Sequence, residues 1–162
     1  TGSAIPCKYR NVSGIYMQMS NGNAMLLDAG EGTVGQLFRA KHNESPKEVL
    51  RSIRAVWISH PHADHHLGIL RLLAERKKLL HGQIEPIMVI APRNLKDFLE
   101  EYKLVDPHIR DSYVHMDCED ISTVRPTYRI SEERHHQNMT THDRLRTELG
   151  ITSILAIPVR HC

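Results

Sequence analysis

The chain has 162 residues, with 21 Lys and Arg against 19 Asp and Glu and a formal net charge of +2. That length suits one domain with a real core and is short for two, and the near-neutral charge permits nucleic-acid binding without arguing for it. Three widely spaced cysteines, Cys7, Cys118 and Cys162, fit a reducing, intracellular setting better than a disulfide framework, and no apolar run approaches the roughly 18–20 residues of a membrane-spanning helix.

Gly14 to Met19 alternates in part and runs into Ser20-Asn21-Gly22-Asn23, which predicts a hairpin. Ala24 to Leu27 reads as the buried return strand. Asp28-Ala29-Gly30-Glu31-Gly32 then forms a Gly-rich turn opening a helix through Thr33, Val34, Leu37 and Phe38. The turn lacks both phosphate-loop patterns. Its glycines therefore predict close packing, with Asp28 anchoring the adjacent loop by hydrogen bonds. Pro46 predicts the first turn of a short helix over 47–53, and Ala55 to Ile58 a buried strand.

That strand delivers the chain into Ser59-His60-Pro61-His62-Ala63-Asp64-His65-His66-Leu67-Gly68. Imidazoles two positions apart on a tight loop can converge on one zinc, and Asp64 with His65 points a further donor pair at a neighbouring position. Neutral imidazole nitrogen and carboxylate oxygen both bind zinc at about 2.0–2.2 Å. His66 is assigned to the start of the following helix or to support of the ligands from behind.

From Leu67 the apolar positions recur at helical spacing, with Arg71, Arg76, Lys77 and Lys78 on the remaining surface as a solvated face. A contact to phosphate backbone is the minority reading of that run. Pro86 to Ala91 predicts another buried strand, followed by a helix with Leu95, Phe98, Leu99 and Tyr102 in one stripe. Strand and helix in alternation indicate a layered α/β fold. Between Lys103 and Leu149 the signal weakens. His108, His115, His135, His136 and His142 there lack ligand spacing and are mostly assigned to the surface, with His135 and His136 a lookalike for a metal pair. Arg125, Arg129 and Arg134 offer only a weak suggestion of RNA contact. Leu145 to Leu149 predicts a helix end with Gly150 as its terminator. Ile154 to Val159 predicts a final buried strand, and a chain ending at once after it, at Cys162, reads as a fragment.

His60-x-His62-x-Asp64-His65 followed by Gly68 resembles the metallo-β-lactamase superfamily. Three further stretches resemble one family within it, the tRNase Z endoribonucleases of tRNA 3′-end processing, in their long eukaryotic form. They are Thr1 to Asn11, with Pro6, Lys8, Arg10 and Asn11 as a P-x-K-x-R-N loop; Asp28 to Thr33, as D-x-G-E-G-T; and Val159-Arg160-His161-Cys162. The resemblance implies an αβ/βα sandwich, of which residues 1–162 would be a partial catalytic domain. It implies His60, His62 and His161 on one zinc, Asp64 and His65 on a second, and Asp64 also as general base. Lys8, Arg10 and Asn11 would contact the precursor tRNA. Two zinc ions in a complete site would acidify water and screen phosphate charge. The trailer would leave with a 5′-phosphate and the tRNA with a 3′-hydroxyl, in the nucleus or the mitochondrion. The bridging Asp and later histidines of the family pattern do not occur in this chain, so it is expected to be inactive by itself. The rival readings are another hydrolase of the superfamily, a phosphodiesterase or a glyoxalase II-like thioesterase, and a non-catalytic RNA-binding module.

Overall fold

A computed structural model describes residues 12–81, 83–122 and 132–158. Five strands form one sheet in chain order: β1 (Ile15–Gln18), β2 (Ala24–Leu27), β3 (Ile53–Trp57), β4 (Ile87–Ala91) and β5 (Tyr113–Asp117). The first pair is antiparallel and the other three pairs are parallel. The helices are α1 (Thr33–Ala40), α2 (Pro46–Ser52), α3 (Ala63–His66), α4 (Gly68–Leu80), α5 (Arg93–Val105) and α6 (Glu132–Leu149).

The strand residues explain this layering. In β4 every position is buried, with Ile87, Val89 and Ala91 in one core and Met88 and Ile90 in the other. A strand apolar on both sides needs cover on both sides, the pattern of a parallel sheet flanked by helices. One face is sealed by aliphatic side chains of α1, α2, α4 and α5, including Leu37, Leu50, Leu72 and Leu99. The other is covered by Leu145 and Leu149 of α6 and by Ala156. None of the described helices is long and apolar enough to cross a membrane.

Local chemistry sets the boundaries. Ser45 and Glu48 cap α2 reciprocally, the Ser45 hydroxyl accepting from Glu48 N and the Glu48 carboxylate accepting from Ser45 N. The helix ends one residue earlier than its sequence predicts, because Ile53 already belongs to β3. At the far end of the chain, the β1–β2 turn terminates α6. Asn21 and Asn23 each donate a side-chain N–H to the Glu148 carbonyl, at 3.0 and 2.6 Å, and Gly150 follows with φ +66°.

Four expectations are corrected, the first being Arg76, read as part of a solvated face and found 4% exposed. Residues 103–149 hold the strand β5, which the sequence did not signal, and the helix α6, of which it signalled only the end at Leu145 to Leu149 with Gly150 as terminator. His115 lies on β5, half-buried, donating from Nε2 to the Ala91 carbonyl at 3.1 Å, and is not a surface residue. The run from Ile154 makes no buried strand over its described part. It makes one parallel bridge, Ala156 with Ser122, and leaves Leu155 and Ile157 63% and 73% exposed. Among the described residues, that bridge is the run's one strand-type pairing.

Candidate metal centre

The parallel strands β2 and β3 end side by side, and everything at this site is hung from those two ends. Asp28 follows β2 with φ +61°, a left-handed conformation that Asp tolerates better than most residues. Its N–H continues the ladder to the Trp57 carbonyl at 2.7 Å. Its carboxylate then faces the loop leaving β3 and takes four hydrogen bonds. Oδ1 accepts from Ser59 N at 2.8 Å, while Oδ2 accepts from the hydroxyls of Ser59 and Ser13, both at 3.1 Å, and from His65 Nδ1 at 2.7 Å. Burial alone would raise this carboxyl. The Ser59 N–H, the His65 ring and the Ser59 hydroxyl outweigh it and hold the group below the usual carboxylate range.

Two glycines let the backbones meet. A Cβ on Gly30 would collide with the Asp64 carbonyl and the Val12 side chain, and one on Gly68 with the Gly30 carbonyl. With both hydrogens in place, Ala29 N donates to His65 O and Gly68 N to Ala29 O, each at 2.8 Å, and Ser13 N donates to Asp64 O at 3.2 Å. The segments 28–30 and 64–68 are thus clasped main chain to main chain, which fixes the start of α3 and α4.

These supports fix the ring tautomers. His65 must carry its proton on Nδ1 to donate to Asp28, which leaves Nε2 as the lone-pair nitrogen, 3.5 Å from Asp64 Oδ2. The single Ser59 hydroxyl proton goes to Asp28. His60 Nδ1, 2.9 Å from that hydroxyl, therefore donates to it and presents Nε2 outward. His60 Nε2 lies 3.1 Å from His62 Nδ1. Two ring nitrogens at that separation need a proton or a cation between them. Two ligands about 2.05 Å from a tetrahedral zinc would be about 3.3 Å apart, so the spacing suits the exchange of that proton for a metal ion. The His60 ring centroid is 4.5 Å from that of His62 and 4.0 Å from that of His65, so both donor pairs open on one region.

His66 points away. It is buried, donates from Nδ1 to the His62 carbonyl at 2.9 Å and sets its ring edge-on to Phe98 of α5, with centroids 5.2 Å apart. Burial pushes its imidazole below its ordinary range. It braces the loop from behind, one of the two roles its position predicts.

Among the described residues, no three His, Cys, Asp or Glu side chains converge so as to hold a metal ion. The structure brings together His60, His62, Asp64 and His65 as two adjoining pairs. His161, Lys8, Arg10 and Asn11 lie outside the described residues, as do Arg125, Arg129 and the side chains of Arg134 and His135. His136 and His108 are exposed, and His142 is partly so. Asp28 was legible as the anchor of the adjacent loop. Its bond to His65 was not, because it spans 37 positions between two different strand ends.

The model of the β-lactamase superfamily domain matches residues 23–162. The mitochondrial tRNase Z TRZ4 of Arabidopsis thaliana is 50% identical over 107 residues, which make up 65% of this chain and 11% of that protein. The mitochondrial ribonuclease Z of Drosophila melanogaster is 37% identical over 162 residues, 100% of this chain and 19% of that protein. The crystal structure of a long-form RNase Z from yeast superposes with a TM-score of 0.77 at 24% identity, covering 100% of this chain and 25% of that one, a likeness of fold. The chain therefore spans less than a fifth of the length of these curated relatives. It belongs to the β-lactamase superfamily, and its relatives there are tRNase Z proteins.

Proposed function

We propose that this chain supplies the histidine loop of a zinc-dependent endoribonuclease that removes 3′ trailers from precursor tRNA. The observation carrying the reading is the pairing of donors, His60 Nε2 3.1 Å from His62 Nδ1 and His65 Nε2 3.5 Å from Asp64 Oδ2. The sequence around them is 50% identical to a tRNase Z over 107 residues. His60 and His62 would hold one zinc, completed by His161, and Asp64 with His65 a second. When bound, zinc acidifies water and offsets phosphodiester charge. Asp64 accepts the proton of the attacking water. The water oxygen bonds to phosphorus as the P–O3′ bond breaks and the departing O3′ takes a proton from solvent, so the tRNA keeps a 3′-hydroxyl and the trailer a 5′-phosphate. Asp28 and Ser59 hold the protons of His65 and His60 on Nδ1, keeping each Nε2 directed at the site. Lys8, Arg10 and Asn11 would contact RNA phosphates and a base edge near the cleavage point.

Residues 1–162 form, in this reading, part of a larger catalytic domain. Ile15 and Met17 support it, 60% and 39% exposed on the face of β1 opposite Tyr16, as do the exposed Leu155 and Ile157. Cleavage by the 162-residue chain alone would overturn that assignment. The relatives named as mitochondrial support a mitochondrial place of action, and the family resemblance adds the nucleus.

In the intact protein, Asp64→Ala lowers cleavage of a 3′-extended pre-tRNA by roughly 10²–10⁴-fold while tRNA affinity stays within about twofold. Activity surviving that change removes Asp64 as the base. Turnover of a thioester or a small phosphodiester, with none of RNA, would replace the endoribonuclease reading by another hydrolase of the superfamily.

A further inference from the structure

The end of the sheet opposite the histidine loop carries a concentration of basic groups that the reaction above does not use. Two clefts open there. One, of about 610 Å³, is lined by Arg51 and Arg54, where α2 passes into β3, and on its other wall by Glu85, Pro86 and Asp111. The second, of about 330 Å³, lies at the last turns of α4, between Ala74, Glu75, Lys77, Lys78 and His81 on one side and His108 on the other, with Glu75 paired to Arg71 at 3.1 Å. Lys77, which lines the second cleft, donates to the Arg110 carbonyl at 2.6 Å, and the next residue, Asp111, lines the first.

The ground behind the first cleft is also positive. Arg76 is 4% exposed and donates to the carbonyls of Glu85 and Ile53 at 3.2 and 3.3 Å. Arg144 donates to the Pro86 carbonyl at 2.6 Å. Burial and the fields of Arg54 and Arg144 pull the Arg76 guanidinium down to about 10, with Glu148 opposing them. Glu148 is already engaged by Arg144 at 2.6 Å and reaches Arg54 Nε only at 3.9 Å. The opposing charges at the rim are Glu85 and Asp111, both exposed, and Glu48 one turn before Arg51. Arg51 is exposed and Arg54 half-buried with its Nε donating to Asn23 Oδ1 at 3.3 Å, and arginines lining a concave surface raise the local potential more than their number alone indicates. Their planar forks match phosphate oxygens.

We propose that these two clefts bind the phosphate backbone of the RNA substrate, with Arg51 and Arg54 as the principal contacts and Lys77 and Lys78 as the second. The assignment rests on the endoribonuclease reading for the choice of RNA, since a polyanion already has to be held by this chain. From Arg54 to Trp57 there is roughly 10 Å of strand, with the Ile58–Ser59 loop beyond it, before the histidines begin. The clefts therefore engage nucleotides away from the cleaved bond, by charge and without base readout.

The test uses the intact protein and two RNAs that it does not cleave, a mature tRNA lacking a trailer and an unrelated hairpin, with affinity measured from 0.05 to 0.3 M NaCl. Arg51→Gln with Arg54→Gln is expected to weaken both RNAs about tenfold at 0.15 M salt and to reduce the slope of log affinity against log salt by about 1–2. Lys77→Gln with Lys78→Gln, on the surface of α4, gives a smaller loss of the same kind and keeps the test open if the arginine pair misfolds. Arg51→Lys with Arg54→Lys keeps most of the affinity. Wild-type affinity and slope in both Gln variants overturn the proposal, including the case where they lose inorganic phosphate or an acidic peptide instead. Because no cleavage is read, absence of nuclease activity and absence of this contact are separate results.

Discussion

The two ends of the sheet are tied by different chemistry. At the histidine end the loops are clasped main chain to main chain: Asp28 N to Trp57 O, Ala29 N to His65 O, Gly68 N to Ala29 O and Ile58 N to Ile90 O. At the opposite end, basic side chains reach for carbonyls, Arg76 to Glu85 and Ile53, Arg144 to Pro86, and Lys77 to Arg110. A backbone bond fixes position with no rotatable side chain between, as suits atoms that must meet a metal ion within a few tenths of an ångström. A lysine or arginine bond spans a variable gap and leaves its charge for other work. The contrast identifies which end tolerates change and in which measurement the damage appears.

The sharpest break in that contrast is Gly68→Ala. Its methyl group meets the Gly30 carbonyl, so the clasp must open. Zinc affinity of the intact protein, by competition with a chromophoric chelator, is expected to fall by more than about 100-fold, above the usual effect of losing one supporting side chain. Asp28→Asn comes next. It keeps the shape but offers an amide where His65 and Ser59 need a carboxylate, and zinc affinity falls by about 10–100-fold. An unchanged affinity would show that the tautomer of His65 is set elsewhere. Arg76→Gln probes the other end. The buried Ile53 carbonyl and the part-buried Glu85 carbonyl lose a charged donor, and urea unfolding is expected to show a loss of roughly 2–3 kcal/mol with zinc affinity unchanged. If zinc binding falls in step with stability, the two ends are coupled through β3 and the contrast fails.

The smallest effect concerns pH. Burial lowers the His115 ring below its ordinary value of about 6.5, against the opposing pull of Asp117 and the Ala91 carbonyl. A folded pKa below the unfolded one means that the unfolded chain takes up the proton first. Its contribution is therefore complete above the unfolded value near 6.5 and is lost as pH falls from there through the folded value. The His115 ring signal in an NMR titration is expected to move only below pH 6.5, and a midpoint at or above that value would contradict the burial argument.

How much of this was legible follows from the range of each signal. The donor loop was read because His60, His62, Asp64 and His65 lie within six positions, and local spacing survives folding. The D-x-G-E-G stretch was read as close packing, and Gly30 bears this out against the Asp64 carbonyl. Only the end of α6, Leu145 to Leu149 before Gly150, was read; the rest escaped because its buried positions among those described, Thr141, Leu145 and Leu149, are few and four apart within an otherwise polar sequence. β5 escaped because a histidine and an aspartate interrupt its alternation, and both become acceptable only beside the Ala91 carbonyl and the Glu119 N–H. The expected last strand erred in the other direction, since apolar residues near 154–158 signal a wish for burial and say nothing of which strand is there to pair. His161, Lys8, Arg10 and Asn11 remain proposals that rest on the family resemblance.

The asparagines of the first turn have a consequence for how the chain assembles. Asn21 and Asn23 precede their partner, the Glu148 carbonyl, by more than 120 positions. The turn amides have no partner from their own hairpin in those bonds, and only the last turn of α6 supplies it. Docking of α6 then seals the second face of the sheet and ends the helix in one event. The β1–β2 turn acts as the latch for α6, and a change as small as Asn23→Ala would be felt first in the rate at which that latch closes.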